Sequence, residues 1–86
     1  MSIADVDASL RDQIREIVAD ILEVEIEDVT WSSSFQDDLG AHSLQGIQIL
    51  AALERRFGVE IDQSLLPRMT DVAQTYQVLL HALRDK

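Results

Sequence analysis

Ser43 follows His42 in the stretch DDLGAHSLQG, residues 37–46, and a hydroxyl beside an imidazole raises nucleophilic catalysis as a first reading. Geometry argues against it. On a helix opened by Ser43, consecutive side chains point about 100° apart, whereas a general base must come within about 2.6–3.2 Å of the proton it takes. The nearest glycines, at 40 and 46, leave no G-x-S-x-G elbow to lift the serine out of its turn. The other histidine, His81, falls opposite the apolar stripe of the last predicted helix and reads as solvated. Two non-catalytic roles stand beside the hydrolase. As the N-cap of a helix, Ser43 would accept a backbone N–H for about 1 kcal/mol, although a capping box would want Glu or Gln at position 46, where Gly46 stands. As a point of attachment, it would place an esterified phosphate at a helix N-terminus, where unpaired N–H groups favour an anion. The cap is the stronger of the two on these grounds; physical chemistry permits the attachment without selecting it.

The elements that must position this serine are helical. Leu10, Ile14, Ile17, Val18, Ile21 and Leu22 recur at helical spacing and predict a first helix over about 8–23, with Asp5, Asp7 or Ser9 as its cap. Residues 24–42 lose that period but keep Val24, Ile26, Val29, Phe35 and Leu39, which predicts a long ordered loop lying over the core. Trp31 within it reads as buried or half-buried. A second helix runs from Ser43 to about Phe57, with Ile47, Leu50, Leu53 and Phe57 inward and Gly58 as its stop. Leu44 lies between its two faces, exposed at the helix start. One short turn near Gln63–Leu66 ends at Pro67, and Thr70 is the candidate cap of a last helix carrying Val72, Tyr76, Leu79, Leu80 and Leu83. Val59-Glu60-Ile61 alternates but is too short to pair. The expected fold is all-α: a small four-helix bundle, three helices longer and one short, closed over the loop between helices one and two.

At 86 residues the chain is read as one domain, 1–86, burying roughly 60–65% of the surface its unfolded form exposes. That size favours binding or carrying over catalysis in a deep pocket. Of the net charge of −9, the whole excess precedes Ser43: residues 1–42 hold 11 acids and two arginines, and 43–86 hold five acids and five bases. Nucleic acid is therefore not an expected partner, and a basic protein surface suits better, with simple solubility as the plainer explanation. There is no cysteine, which removes disulfides, thiolate metal sites and cysteine nucleophiles. No segment reads as a membrane span or signal peptide, so a cytoplasmic monomer is expected, and the start at Met1-Ser2 favours a stand-alone protein.

The residues SSFQDDLGAHSLQGIQILAALERRFGVEI, 33–61, resemble the acyl carrier proteins, whose signature is an acidic-Leu-Gly run, one residue, Asp, then Ser-Leu. ILEVEIEDVT resembles the end of that family's first helix and its loop, and MTDVAQTY the start of its last, so the likeness spans about 10–83. The resemblance implies a carrier and not an enzyme. A phosphopantetheinyl transferase would move 4′-phosphopantetheine from coenzyme A onto Ser43, and the arm's thiol would bear acyl groups as thioesters. Such a tether holds its cargo at high effective concentration for each docking enzyme. In some members two helices part to shelter an apolar acyl chain.

Two departures refine that implication. His42 stands where acyl carriers usually have Asp, as in peptidyl carriers that read Leu-Gly-Gly-His-Ser-Leu, which bears on which transferase loads Ser43. The docking surface implied for helix two is Leu44, Gln45, Gln48, Ala51 and Glu54, where fatty-acid carriers display several acids; only Glu54 keeps the charge, with Asp37 and Asp38 ahead of the serine. Polyketide or mixed polyketide–peptide synthesis is therefore expected, with an acyltransferase, ketosynthase or other synthase enzymes as partners. The alternatives are a peptidyl or aminoacyl carrier and an unmodified helical interaction module. No metal site is expected.

Overall fold

The apolar rhythm of residues 10–22 folds into a helix whose inner face, Ile14, Ile17, Val18 and Leu22, is buried. A computed structural model describes the backbone of residues 3–85 and the side chains of 8–85. In it α1 spans Ile3–Leu22, a 3-10 turn Ile26–Asp28, α2 Ser43–Phe57, a 3-10 helix Gln63–Arg68 and α3 Val72–Arg84. Among the described residues there is no strand. This is the expected all-α bundle of three longer helices and one short. α1 packs on both α2 and α3, and the 3-10 helix packs on both as well, filling the side that α1 leaves.

Several boundaries move. α1 begins five residues earlier than its apolar periodicity marks. Asp5, Asp7 and Ser9 consequently lie inside the helix and do not cap it; the side chains of Asp5 and Asp7 lie outside the described residues. The second helix ends as expected at Gly58, whose left-handed φ of 64° lets its amide reach the Glu54 carbonyl at 2.9 Å. The expected stop at Pro67 is overrun to Arg68, since the fixed φ of proline suits a 3-10 helix. At its start the Asp62 carboxylate accepts the Ser64 amide at 2.8 Å. Hydrogen bonds from the Ser64 backbone, then from its side chain, hold Asp62 below its ordinary 3.8. That cap is complete above pH 3.8 and is lost as pH falls through the lower folded value. The cap of α3 is Asp71, not Thr70: its carboxylate takes the Gln74 amide at 2.8 Å.

The loop between α1 and α2 is ordered over the core, as its apolar residues require. Val29 and Phe35 are buried at 0% and 4% exposure. Trp31 is more open than expected, at 41%, because only part of its ring is covered: Tyr76 lies 5.6 Å away between ring centroids, and the Arg11 guanidinium sits 5.2 Å over the ring. The backbone of the loop is held from α1 by Arg15, whose Nε donates to the Val29 carbonyl at 2.7 Å and whose second nitrogen donates to that of Ile26 at 3.0 Å. These are charge-assisted bonds in a partly buried place. Arg15→Met, which keeps the stem and removes the fork, should lower the unfolding free energy by about 1–3 kcal/mol in urea titrations. Arg15→Lys should restore only part of it, because one ammonium cannot reproduce the planar fork. An unchanged midpoint in the methionine variant would show the fork to be dispensable.

Candidate functional site

The approach to α2 is a tight turn built from short polar residues. The Asp38 carboxylate accepts the Ser34 amide at 2.7 Å, and the Ser34 hydroxyl accepts the Asp37 amide at 3.1 Å. Gly40 then takes a φ of 73°, a left-handed conformation that glycine adopts without strain. Ala41 follows, its amide donating to the Phe35 carbonyl at 2.7 Å, and the chain enters the helix.

The helix starts one residue earlier than a serine cap would place it. His42 is the N-cap, with extended φ and ψ of −108° and 173°. Its carbonyl accepts the Gln45 and Gly46 amides at 3.0 and 3.3 Å, and its own amide donates to Gln45 Oε1 at 3.1 Å. A Gln three residues beyond the cap is the reaching-back partner of a capping box. The reaching-back half of the box is thus present, counted from His42 instead of Ser43, while the His42 carbonyl and not its imidazole takes the Gln45 amide. Ser43 becomes the first helical residue, exposed, and among the described residues nothing takes its hydroxyl. His42 is exposed as well, and its place in the cap explains its adjacency to the serine without any catalytic role.

Beside Ser43 opens a cavity of about 410 Å³. Its apolar wall is Phe35 from the loop, Ile49 from α2, and Leu66 and Met69 from the 3-10 helix and its end. Gly46, one turn along from the cap, also lines it. A glycine inside a helix costs roughly 0.5–1 kcal/mol relative to alanine. Sequence periodicity gives no sign of this cavity, because its wall joins residues from the loop, α2 and the 3-10 helix that no single period relates.

The residues expected to dock partners separate into two groups. Leu44 is 57% exposed, as expected, and with Gln48 and Ala51 it forms a stripe along α2. Ile47 joins that stripe at 43% exposure, contrary to its expected place in the core, and Ile49 points inward in its stead beside Leu50. Its signal was in the sequence: 44, 47, 48 and 51 stand at i, i+3, i+4 and i+7. Asp37 is exposed near the helix start. By contrast the side chains of Gln45, Asp38 and Glu54 each accept a backbone amide and so hold the local chain. Glu54 Oε2 accepts the Ile61 amide at 2.9 Å and so ties down the segment after α2. Among the described residues no three His, Asp or Glu side chains group as metal ligands, and no helix is long and apolar enough to cross a membrane.

Comparison with known proteins agrees with this architecture. The family described as phosphopantetheine attachment site matches residues 12–79. Polyketide-8 synthase acyl carrier protein 1 of Streptomyces avermitilis is 44% identical over 79 residues, covering 92% of this chain and 94% of the relative. Polyketide-8 synthase acyl carrier protein 2 of the same organism is 35% identical over 75 residues, covering 87% and 86%. Among solved structures, a chain in the one described as "The ishigamide ketosynthase/chain length factor" superposes with a TM-score of 0.69 at 42% identity, covering 84% of this chain and 90% of that one. The chain belongs to the acyl carrier family that bears a phosphopantetheine attachment site. Its group is covalently attached 4′-phosphopantetheine, and members of the family are carriers of reaction intermediates.

An aspartate at the cap would both accept first-turn amides and place negative charge at the positive end of α2. His42→Asp should therefore raise stability by about 0.5–1 kcal/mol, read as a higher urea midpoint at neutral pH. A lower midpoint would mean that the imidazole makes a contact the carboxylate cannot replace.

Proposed function

We propose that Ser43 Oγ is the attachment point and that the chain, as a single carrier domain, presents acyl intermediates to the enzymes of a polyketide synthase. The observation that carries this reading is the serine itself: exposed, unclaimed, at the first position of a helix, and beside an apolar cavity. These features fit the group. The hydroxyl is open to a phosphopantetheinyl transferase, the helix N-terminus favours the phosphodiester charge, and the cavity has room for part of an apolar chain. Transfer from coenzyme A forms one bond from Ser43 Oγ to phosphorus and breaks one pyrophosphate P–O bond. Adenosine 3′,5′-bisphosphate leaves, and the serine proton passes to the transferase. When bound, the arm supplies the thiol that a chain with no cysteine lacks.

Identity to two polyketide carriers supports the polyketide pathway over the aminoacyl one, and the likeness to a chain in a ketosynthase complex supports a ketosynthase as one partner. An acyltransferase is the other partner class this reading needs. The protein works as a monomer in the cytoplasm, where coenzyme A and the synthase enzymes meet it. Docking runs along the outer stripe of α2, through exposed Leu44, Ile47 and Gln48 to half-buried Ala51, with His42 and Asp37 near its start. Glu54, Asp38 and Gln45 support that surface through their bonds to the Ile61, Ser34 and His42 amides.

Incubation with coenzyme A and a broad-specificity phosphopantetheinyl transferase should add one phosphopantetheinyl mass to the protein and none to Ser43→Ala. An unmodified protein, or an equally modified alanine variant, would sink the assignment. The docking reading makes a kinetic distinction. Leu44→Ala and Ile47→Ala should each speed dissociation from a ketosynthase partner by roughly tenfold, the effect of losing about 1.4 kcal/mol of contact. Asp37→Asn should act mainly on the association rate and its salt dependence. Stopped-flow or surface-plasmon traces separate the two, and a purely salt-dependent interface would exclude the apolar stripe.

A further inference from the structure

Gly46 is a glycine that the fold itself does not require. Its backbone is ordinary helix, the positive-φ glycines being Gly40 and Gly58. It is not crowded either: a Cβ built there would find Leu66 Cδ1 at 3.7 Å as its neighbour, an ordinary van der Waals contact. Most other residues would favour the helix more than glycine does. Close approach by a docked enzyme does not explain it, because Gly46 is half-buried and turned to the cavity, away from the stripe of Leu44, Ile47 and Ala51. What remains is the space its missing side chain leaves. Ser43 and Gly46 are three residues apart on one helix face and line the same cavity, with Ile49 next along the wall.

We propose that Gly46 is a specificity-determining residue: its bare backbone forms the throat between Ser43 and the apolar wall of Phe35, Ile49, Leu66 and Met69, and sets which acyl chains pass into the cavity. The inference rests on Ser43 as attachment point and goes beyond it in naming the position that controls access. The ligand class is an apolar acyl chain entering end-on past the helix backbone. A side chain at 46 would project toward Leu66 and narrow that passage, the more so the longer it is.

The test uses the arm itself as reporter. A pantetheine bearing an environment-sensitive dye on an alkyl linker is transferred from its coenzyme A conjugate onto the wild-type protein, Gly46→Ala and Gly46→Leu. Intact mass reports loading, and thermal melts report folding. The wild-type conjugate should emit to the blue of the same dye-pantetheine free in buffer. Gly46→Ala should melt a few degrees higher and show a smaller blue shift; Gly46→Leu should emit as the free dye does. Where the leucine variant fails to fold, the alanine variant decides, since its methyl has room. An undiminished blue shift in a folded, loaded variant overturns the role of Gly46 and leaves the Ser43 reading standing. A loaded wild-type protein with no blue shift also overturns the inference alone. A wild-type protein that takes no dye at all overturns the Ser43 reading, and the inference with it.

Discussion

The backbone of Phe35 bonds in two directions: its amide donates to the Thr70 carbonyl at 2.9 Å, just before α3, and its carbonyl accepts the Ala41 amide at 2.7 Å, just before α2. Its ring is buried in the core between them. A loop of this length has a conformational cost of about 1–2 kcal/mol for each ordered residue, and without such anchors it would not hold one shape. Arg15 does for the first half of the loop what Phe35 does for the second. Together they make the start of α2 a fixed place, and every property of Ser43 follows from that fixity. A carrier whose attachment point wandered would lose the orientation that a docking enzyme needs.

At that fixed place, structure and chemistry are divided between neighbours. The capping work falls to His42 and Gln45, and the turn before them is closed by Ser34 and Asp38. Among the described residues nothing takes the Ser43 hydroxyl, because the cap position falls to the residue ahead of it. Had Ser43 been the cap, esterifying it would have removed a hydrogen bond worth about 1 kcal/mol and coupled modification to helix stability. With the cap one residue upstream, the arm can be added at little cost to the bundle.

Much of this was legible in the sequence, and what was not has definite causes. The three longer helices are readable because Ile14, Ile17 and Val18, then Leu50 and Leu53, then Val72, Tyr76 and Leu79 recur at helical spacing and are all buried. The stop at Gly58 is readable because its conformation suits one residue type. The caps are harder: Thr70 and Asp71 are both good N-caps and adjacent, so only the hydrogen bond to Gln74 decides between them. His42 is not a residue that propensity marks as a cap, which is why the reach of Gln45 back to its amide is visible only in the structure. Ile47 fits two helical periods at once, and only the packing of α1 and the 3-10 helix on α2 shows which face is inside. Glu54 looks from the sequence like a free docking charge; its bond to Ile61 depends on how the chain returns after Gly58.

The distribution of charge fits a protein that must meet several enzymes and leave each of them. In the first half of the chain Arg11 lies over Trp31 and Arg15 grips the loop, so both cations serve packing, while Asp20, Glu23, Glu25 and Glu27 are exposed. For a basic partner that acidic surface would supply long-range attraction, acting on encounter. The stripe next to Ser43 is uncharged and small, with two large apolar side chains, Leu44 and Ile47, to bury. Contacts of that kind set how long a complex lasts, and a small one gives a short residence. On the docking proposed above, fast arrival through the acids and ready release from the stripe would be separable, because the two reside on different elements, the former on α1 and its loop, the latter on α2.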